Sequence, residues 1–184
     1  MQYPIRPATL ADRPQLEALI ARSARELSVG LYTPAQVEGA LRGAFGVDTQ
    51  LIVDGTYFVV EDAGSAIACG GWSKRRTLFG SDARSQRDAG ELDPSVDAAK
   101  IRAFFVDGNY ARRGIGTALL NHCESAAQAH GYTRFELMAT LPGVPLYTVR
   151  GYVPDSRLRY PLDGTSAEAS GLFIEFVPMR KTLR

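Results

Sequence analysis

Between Phe104 and Leu120 an apolar run, Phe104-Phe105-Val106, passes through a turn and two arginines, Arg112 and Arg113, into a segment with glycines at 114 and 116. From Gly114 to His130 the apolar residues Ile115, Ala118, Leu119, Cys123, Ala126 and Ala127 recur at helical spacing, and Gly131 supplies the stop. No Ser, Thr, Asp or Asn stands where a side chain would cap the first turn, so its amide hydrogens are left for another acceptor. An anion suits them. The glycines let a ligand approach the backbone, the arginines add positive charge, and the helix dipole contributes about 0.3–1 kcal/mol per anionic charge. The pattern predicts a strand, a phosphate-gripping loop and a helix. A glycine-opened helix also suits nucleoside phosphates, but Thr117 follows Gly116 directly, without the Gly-Lys-Ser or Gly-Lys-Thr that would reach terminal phosphates and magnesium.

The stretch Ala111-Arg112-Arg113-Gly114-Ile115-Gly116 resembles the coenzyme A diphosphate loop of the GNAT acyltransferases, in which Gln or Arg, two residues, Gly, one residue and Gly or Ala follow in order. Ala111 departs from the first position, which removes one side-chain contact and leaves the amides of Arg113 to Thr117 unaffected. A second stretch, Pro145-Leu146-Tyr147-Thr148-Val149-Arg150-Gly151-Tyr152, is similar to the family's later signature: Tyr, three residues, Gly and an aromatic. The family's usual Asn and Ala after the intervening strand are replaced here by Thr140 and Gly143, so their contacts do not carry over.

This resemblance implies an α/β fold with a central mixed, mostly antiparallel sheet flanked by helices. It implies one N-acetyltransferase domain over 1–184, with its motif core at about 100–153. Acetyl coenzyme A is the implied co-substrate, without a metal, and a primary amine on a small molecule or peptide is the implied acceptor; homodimers are common in the family. By the same resemblance, the backbone of Phe104, Phe105 and Val106 holds the pantetheine arm, and Arg112, Arg113, Gly114, Ile115, Gly116 and Thr117 hold the diphosphate. Tyr147 stands at the general-acid position; with an ordinary pKa near 10 a tyrosine keeps its proton at neutral pH. Outside the motif Tyr147 reads as one of eight tyrosines, a packing residue, and Phe104 to Val106 as plain buried strand. A domain that kept the cradle without turnover, acting as an acyl-coenzyme A sensor or an interaction module, is the alternative from another functional class.

Composition bounds the rest. At 184 residues and 45% hydrophobic content the chain suits a single soluble domain, and 21 basic against 20 acidic residues give no reason to expect nucleic acid or an anionic membrane as partner. Cys69 and Cys123 form no Cys-x-x-Cys pair and lie on apolar stretches, which predicts buried thiols in a reducing compartment and no structural zinc. No secretory or membrane-spanning run is visible, so a cytoplasmic location is expected.

The elements that must position these residues are a strand over 3–6, a helix after Thr9 and a second opened by Thr33-Pro34. A hairpin over 56–61 and 66–72 with a loose turn follows, then a strand over 100–106 and the helix 114–130. A strand over 134–139, a short helix at 144–150 and a last strand near 172–177 complete the order. Residues 73–97 read as a long polar loop, either a disordered surface excursion or a substrate-side lid, with Lys74-Arg75-Arg76 as solvated surface. The acceptor side is undetermined: Tyr32 and Trp72 suit either a pocket or packing, His122 and His130 read as solvent-exposed, and Glu91, Asp93, Asp97 and Glu136 read as surface charges rather than a base.

Overall fold

A computed structural model describes residues 3–83, 90–164 and 171–183. Its centre follows from alternation. In strand β2 (Tyr57–Asp62), Phe58 and Val60 pack into one apolar cluster while Tyr57 and Val59 pack into another, the two-residue period of a strand covered on both faces. β2 pairs antiparallel with β1 (Ile5–Pro7) and β3 (Ser65–Ser73), and β3 pairs antiparallel with β4 (Ala99–Val106). β4 then lies parallel to β5 (Arg134–Thr140), and β5 antiparallel to β8 (Phe173–Thr182), which also carries β6 (Val153–Pro154) and β7 (Leu158–Pro161). The eight-stranded sheet is therefore mixed and mostly antiparallel, as expected.

Helices cover both faces. Leu16, Leu19 and Ile20 of α1 (Arg13–Leu27), Val37 of α2 (Pro34–Leu41) and Leu51 of α3 (Thr49–Val53) belong to one cluster, on the side of Tyr57 and Val59. Ile115, Leu119 and Cys123 of α4 (Ile115–Ala129), with Tyr147 of α5 (Val144–Val149), belong to the other. Both cysteines are free and fully buried. Among the described residues no helix is long and apolar enough to cross a membrane.

Several details differ from the sequence-based expectation. The hairpin turn is tight: Asp62 pairs directly with Ser65, and Ala63 and Gly64 both take positive φ, the geometry that matches strand twist. The last strand runs on through Pro178 to Thr182, past the expected end near 177. The 73–97 segment is not a free excursion in its described parts. Arg76 N donates to Gly90 O (2.9 Å) and Leu92 N to Lys74 O (2.7 Å), so its two legs run against each other. Lys74 pairs with Glu91 at 2.9 Å and Arg75 with Asp54 at 2.7 Å, so this basic cluster is largely ion-paired rather than simply solvated. Ser81 N and Asp82 N donate to Gly43 O and Val47 O, docking the outgoing leg onto the chain between α2 and α3.

At the sheet edge the Arg6 guanidinium grips Asp12 through two hydrogen bonds (2.7 and 2.9 Å) and also reaches Glu61 (2.6 Å), while Thr9 donates to the same Asp12 carboxylate through its amide and hydroxyl. These donors hold the Asp12 carboxyl well below the usual carboxylate range, Arg6 foremost. A depressed pKa contributes stability that is present above about pH 4, the ordinary value, and lost as pH falls through the folded one. Asp12→Asn is expected to lower unfolding free energy by about 1.5–3 kcal/mol at pH 7, a deficit that shrinks below about pH 4, as measured by urea denaturation across pH.

Candidate active site

The site begins where two strands part. β4 and β5 pair only at Ala99↔Phe135 and Lys100↔Glu136; beyond those rungs they diverge, opening a wedge in the middle of the sheet. A bulge in β4 shapes one wall. Cys69 pairs with Phe105 and Gly71 with Arg102, so Ala103 and Phe104 together face the single residue Gly70. Ala103 takes φ of 52°, and the Phe104 ring lies over Gly70, where a Cβ would stand 2.5 Å from it. Left-handed backbone at an alanine costs about 1–3 kcal/mol, and the Tyr57 hydroxyl helps hold it by donating to Ala103 O at 3.1 Å.

Beyond β4, Asp107 accepts from Asn109 N and pairs with Arg22 of α1 at 2.6 Å, fixing the turn that leads to α4. Arg112 (φ 64°) and Gly114 (φ 80°) then swing the chain through left-handed conformations into the helix. No side chain caps α4, and among the described residues no protein acceptor takes the amide hydrogens of residues 112–117. A Cβ on Gly114 would meet nothing within 4 Å, so the helix mouth faces open space. It can receive an anion without rearrangement.

A cleft of about 460 Å³ joins these parts. Phe104, Phe105, Val106, Arg112, Gly114, Ile115, Gly116, Thr117 and Tyr147, all singled out from the sequence, line it. Arg113 does not: its guanidinium sits 5.1 Å from the Tyr110 ring centroid and borders a separate hollow beside Tyr3 and His122. Tyr147 is 7% exposed, with Phe104 and Tyr152 edge-on to its ring at 6.4 and 5.7 Å. Burial, reinforced by neighbouring Cys123, pushes its phenol well above the ordinary value. Among the described residues its hydroxyl has no hydrogen-bond partner, and the phenol keeps its proton at neutral pH.

Other candidates separate cleanly. Trp72 is 1% exposed and packs against His130 and Tyr132, so it is core rather than pocket. Tyr32 is buried too, but as a brace: its hydroxyl donates to Glu175 O (2.5 Å) and accepts from Leu141 N (2.8 Å), tying β8 to the turn before α5. Burial raises its pKa to about 12. Tyr32→Phe strands a backbone donor near the Tyr147 helix, with an expected loss of about 1–3 kcal/mol in urea denaturation. His122 and His130 are exposed, although their rings lean on Phe58 and Trp72. None of Glu91, Asp93, Asp97 and Glu136 lines the cleft. Sequence reasoning missed Phe45 and Thr140, which do. They come from segments far apart in the chain, and only the wedge brings them together. Among the described residues no group of His, Cys, Asp and Glu is arranged to hold a metal ion.

The acetyltransferase (GNAT) family model matches residues 26–152. A sequence comparison with curated proteins finds no match. Among solved structures, a Gcn5-related N-acetyltransferase from Rhodopseudomonas palustris superposes with a TM-score of 0.72 at 18% identity, covering 100% of this chain and 97% of that one. The PaiA N-acetyltransferase of Thermoplasma acidophilum, solved in complex with coenzyme A, gives 0.65 at 14% identity, with 99% of each chain covered. A Drosophila melanogaster polyamine N-acetyltransferase gives 0.62 at 15% identity, covering 99% and 100%. At these identities the likeness is one of fold.

Proposed function

The chain belongs to the acetyltransferase (GNAT) family, and from that premise we propose that it is an acetyl-coenzyme A-dependent N-acetyltransferase acting on a primary amine by direct attack in a ternary complex. The observation that carries this reading is the uncapped mouth of α4 opening onto the same cleft as Tyr147. The amides of Gly114 to Thr117 and the Arg112 side chain would hold the diphosphate, and the backbone along Phe104–Val106 the pantetheine arm. The Thermoplasma neighbour's coenzyme A complex supports that assignment, and the Drosophila neighbour's polyamine activity supports an amine as acceptor.

Bound acetyl coenzyme A supplies an activated acetyl group, whose carbonyl carbon bonds to the amine nitrogen as the carbon–sulfur bond breaks and its electron pair leaves on sulfur. Tyr147 gives its phenolic proton to that sulfur. The proton shed by the nitrogen passes to water and restores the phenol, leaving free thiol and amide. General-acid assistance of this kind contributes ~10²–10⁴ in rate. The walls of the wedge orient the two reactants and exclude bulk water, converting a bimolecular encounter into an effectively unimolecular one.

Calorimetry with acetyl coenzyme A and with ATP, followed by thiol-release assays on a panel of amines, tests the reading. Coenzyme binding with thiol release supports it. Coenzyme binding without release on any amine would favour a sensor, and ATP binding alone would reject the cradle assignment.

A further inference from the structure

A second cavity, of about 60 Å³, lies behind the first, and both are lined by Phe45, Phe104, Phe105, Thr140 and Tyr147. Tyr147 is among the residues that both spaces share, as are Phe104 and Phe105 of β4. Taking the acetyltransferase reading as its premise, the geometry points to this cavity as the acceptor side-group subsite, fitted to a branched aliphatic group of three or four carbons next to the reacting amine.

The walls define the chemistry. Leu78, Phe79, Met138 and Phe176 join Phe45 around the space. The rings are mutually locked: Phe79 stands edge-on to Tyr160 at 5.0 Å and tilted on Phe176 at 5.3 Å, and Phe45 edge-on to Phe105 and Phe176 at 5.7 and 6.2 Å. A preformed aromatic lining of this kind favours apolar contents. The charged lining residue, Arg102, is 3% exposed and held by Asp48 at 2.5 Å, with a further hydrogen bond to Gly80 O at 2.8 Å. That pair is close to neutral as a unit, and the described lining contains no Asp or Glu to pair with a second cationic centre on the acceptor. Size ranks the occupants. A cavity of ~150 Å³ holds benzene and one of ~10–15 Å³ a single water, so about 60 Å³ suits a short branched chain better than a phenyl ring. Leu78, Phe79 and Gly80 of the docked leg build one side of this space, which accords with the substrate-side reading of that segment.

The test compares L-leucinamide, glycinamide, L-phenylalaninamide and spermidine with acetyl coenzyme A. The three amides present comparable α-amines, so the side group is the variable. Leucinamide is expected to exceed glycinamide in kcat/KM by at least about tenfold, the effect of filling an apolar pocket, and to exceed phenylalaninamide and spermidine. Ala44→Leu, which adds bulk to the lining, is expected to bring the leucinamide-to-glycinamide ratio towards one. Met138→Ala, which removes it, is expected to raise the phenylalaninamide-to-leucinamide ratio. Equal efficiency with leucinamide and glycinamide, or a preference for spermidine, overturns the assignment. Calorimetry on the coenzyme A-loaded protein provides a readout independent of turnover. If no amine is acetylated but leucinamide still binds more tightly than glycinamide, the subsite stands and the acetyltransferase reading falls; equal binding sinks the subsite.

Discussion

Tyr147→Phe is expected to lower kcat by at least about tenfold, and towards 10²-fold, while acetyl coenzyme A affinity stays within about twofold. The substitution removes one oxygen from a ring held by Phe104, Tyr152 and the α4 core, so packing and the cleft wall persist. Among the described residues that oxygen makes no hydrogen bond, so its loss strands no buried partner, and a change in rate reports on chemistry rather than on folding. The pH profile adds a second reading. Because the folded pKa is raised, the donor form is present below it and lost only as pH rises through it, beyond the ordinary value near 10. Turnover is therefore expected to climb as the acceptor amine deprotonates and to show no alkaline fall before about pH 10. An unchanged kcat in the Phe variant would remove Tyr147 from the mechanism.

Gly114→Asp is expected to weaken coenzyme A binding on the order of 100-fold with little loss of thermal stability. The position has open space around a new Cβ, and Asp tolerates left-handed backbone better than most residues, so the fold accepts it. A carboxylate at the mouth of α4 would sit where the diphosphate is proposed to bind, and two like charges about 4 Å apart repel by several kcal/mol at intermediate dielectric. Gly114→Asn separates charge from bulk: it is expected to lose far less affinity. Matching losses in the two variants would mean that sterics, not anion recognition, govern this turn. Unchanged binding in both would detach the turn from the coenzyme.

What was legible in the sequence was local. The apolar run, the uncapped glycine opening and the helical period of Ile115, Leu119 and Cys123 all fall within two dozen consecutive residues, and each acts through its own neighbours. The same holds for the sheet: alternation in β2 and the antiparallel hairpin follow from pattern and turn. The wedge is different. It depends on β4 and β5 losing contact after two rungs, and no residue type signals where a ladder stops. The bulge carries a positive φ at Ala103 rather than at a glycine, so its conformation has no mark in the sequence. α3 has five residues and β6 two, too few for periodicity to register. The aromatic cavity draws Phe45, Phe79 and Phe176 from three segments more than thirty residues apart, so its existence is a property of the assembled sheet. The same distance explains Tyr32, whose hydroxyl acts on Leu141 and Glu175, residues that sequence reasoning had no cause to place beside it.

The most direct test of the account is a crystal structure grown with coenzyme A. It is expected to place the diphosphate oxygens about 2.7–3.2 Å from the amide nitrogens at the start of α4, between Gly114 and Thr117, with the thiol in the wedge beside Tyr147. A diphosphate bound elsewhere, or a helix mouth filled by a protein side chain, would contradict it.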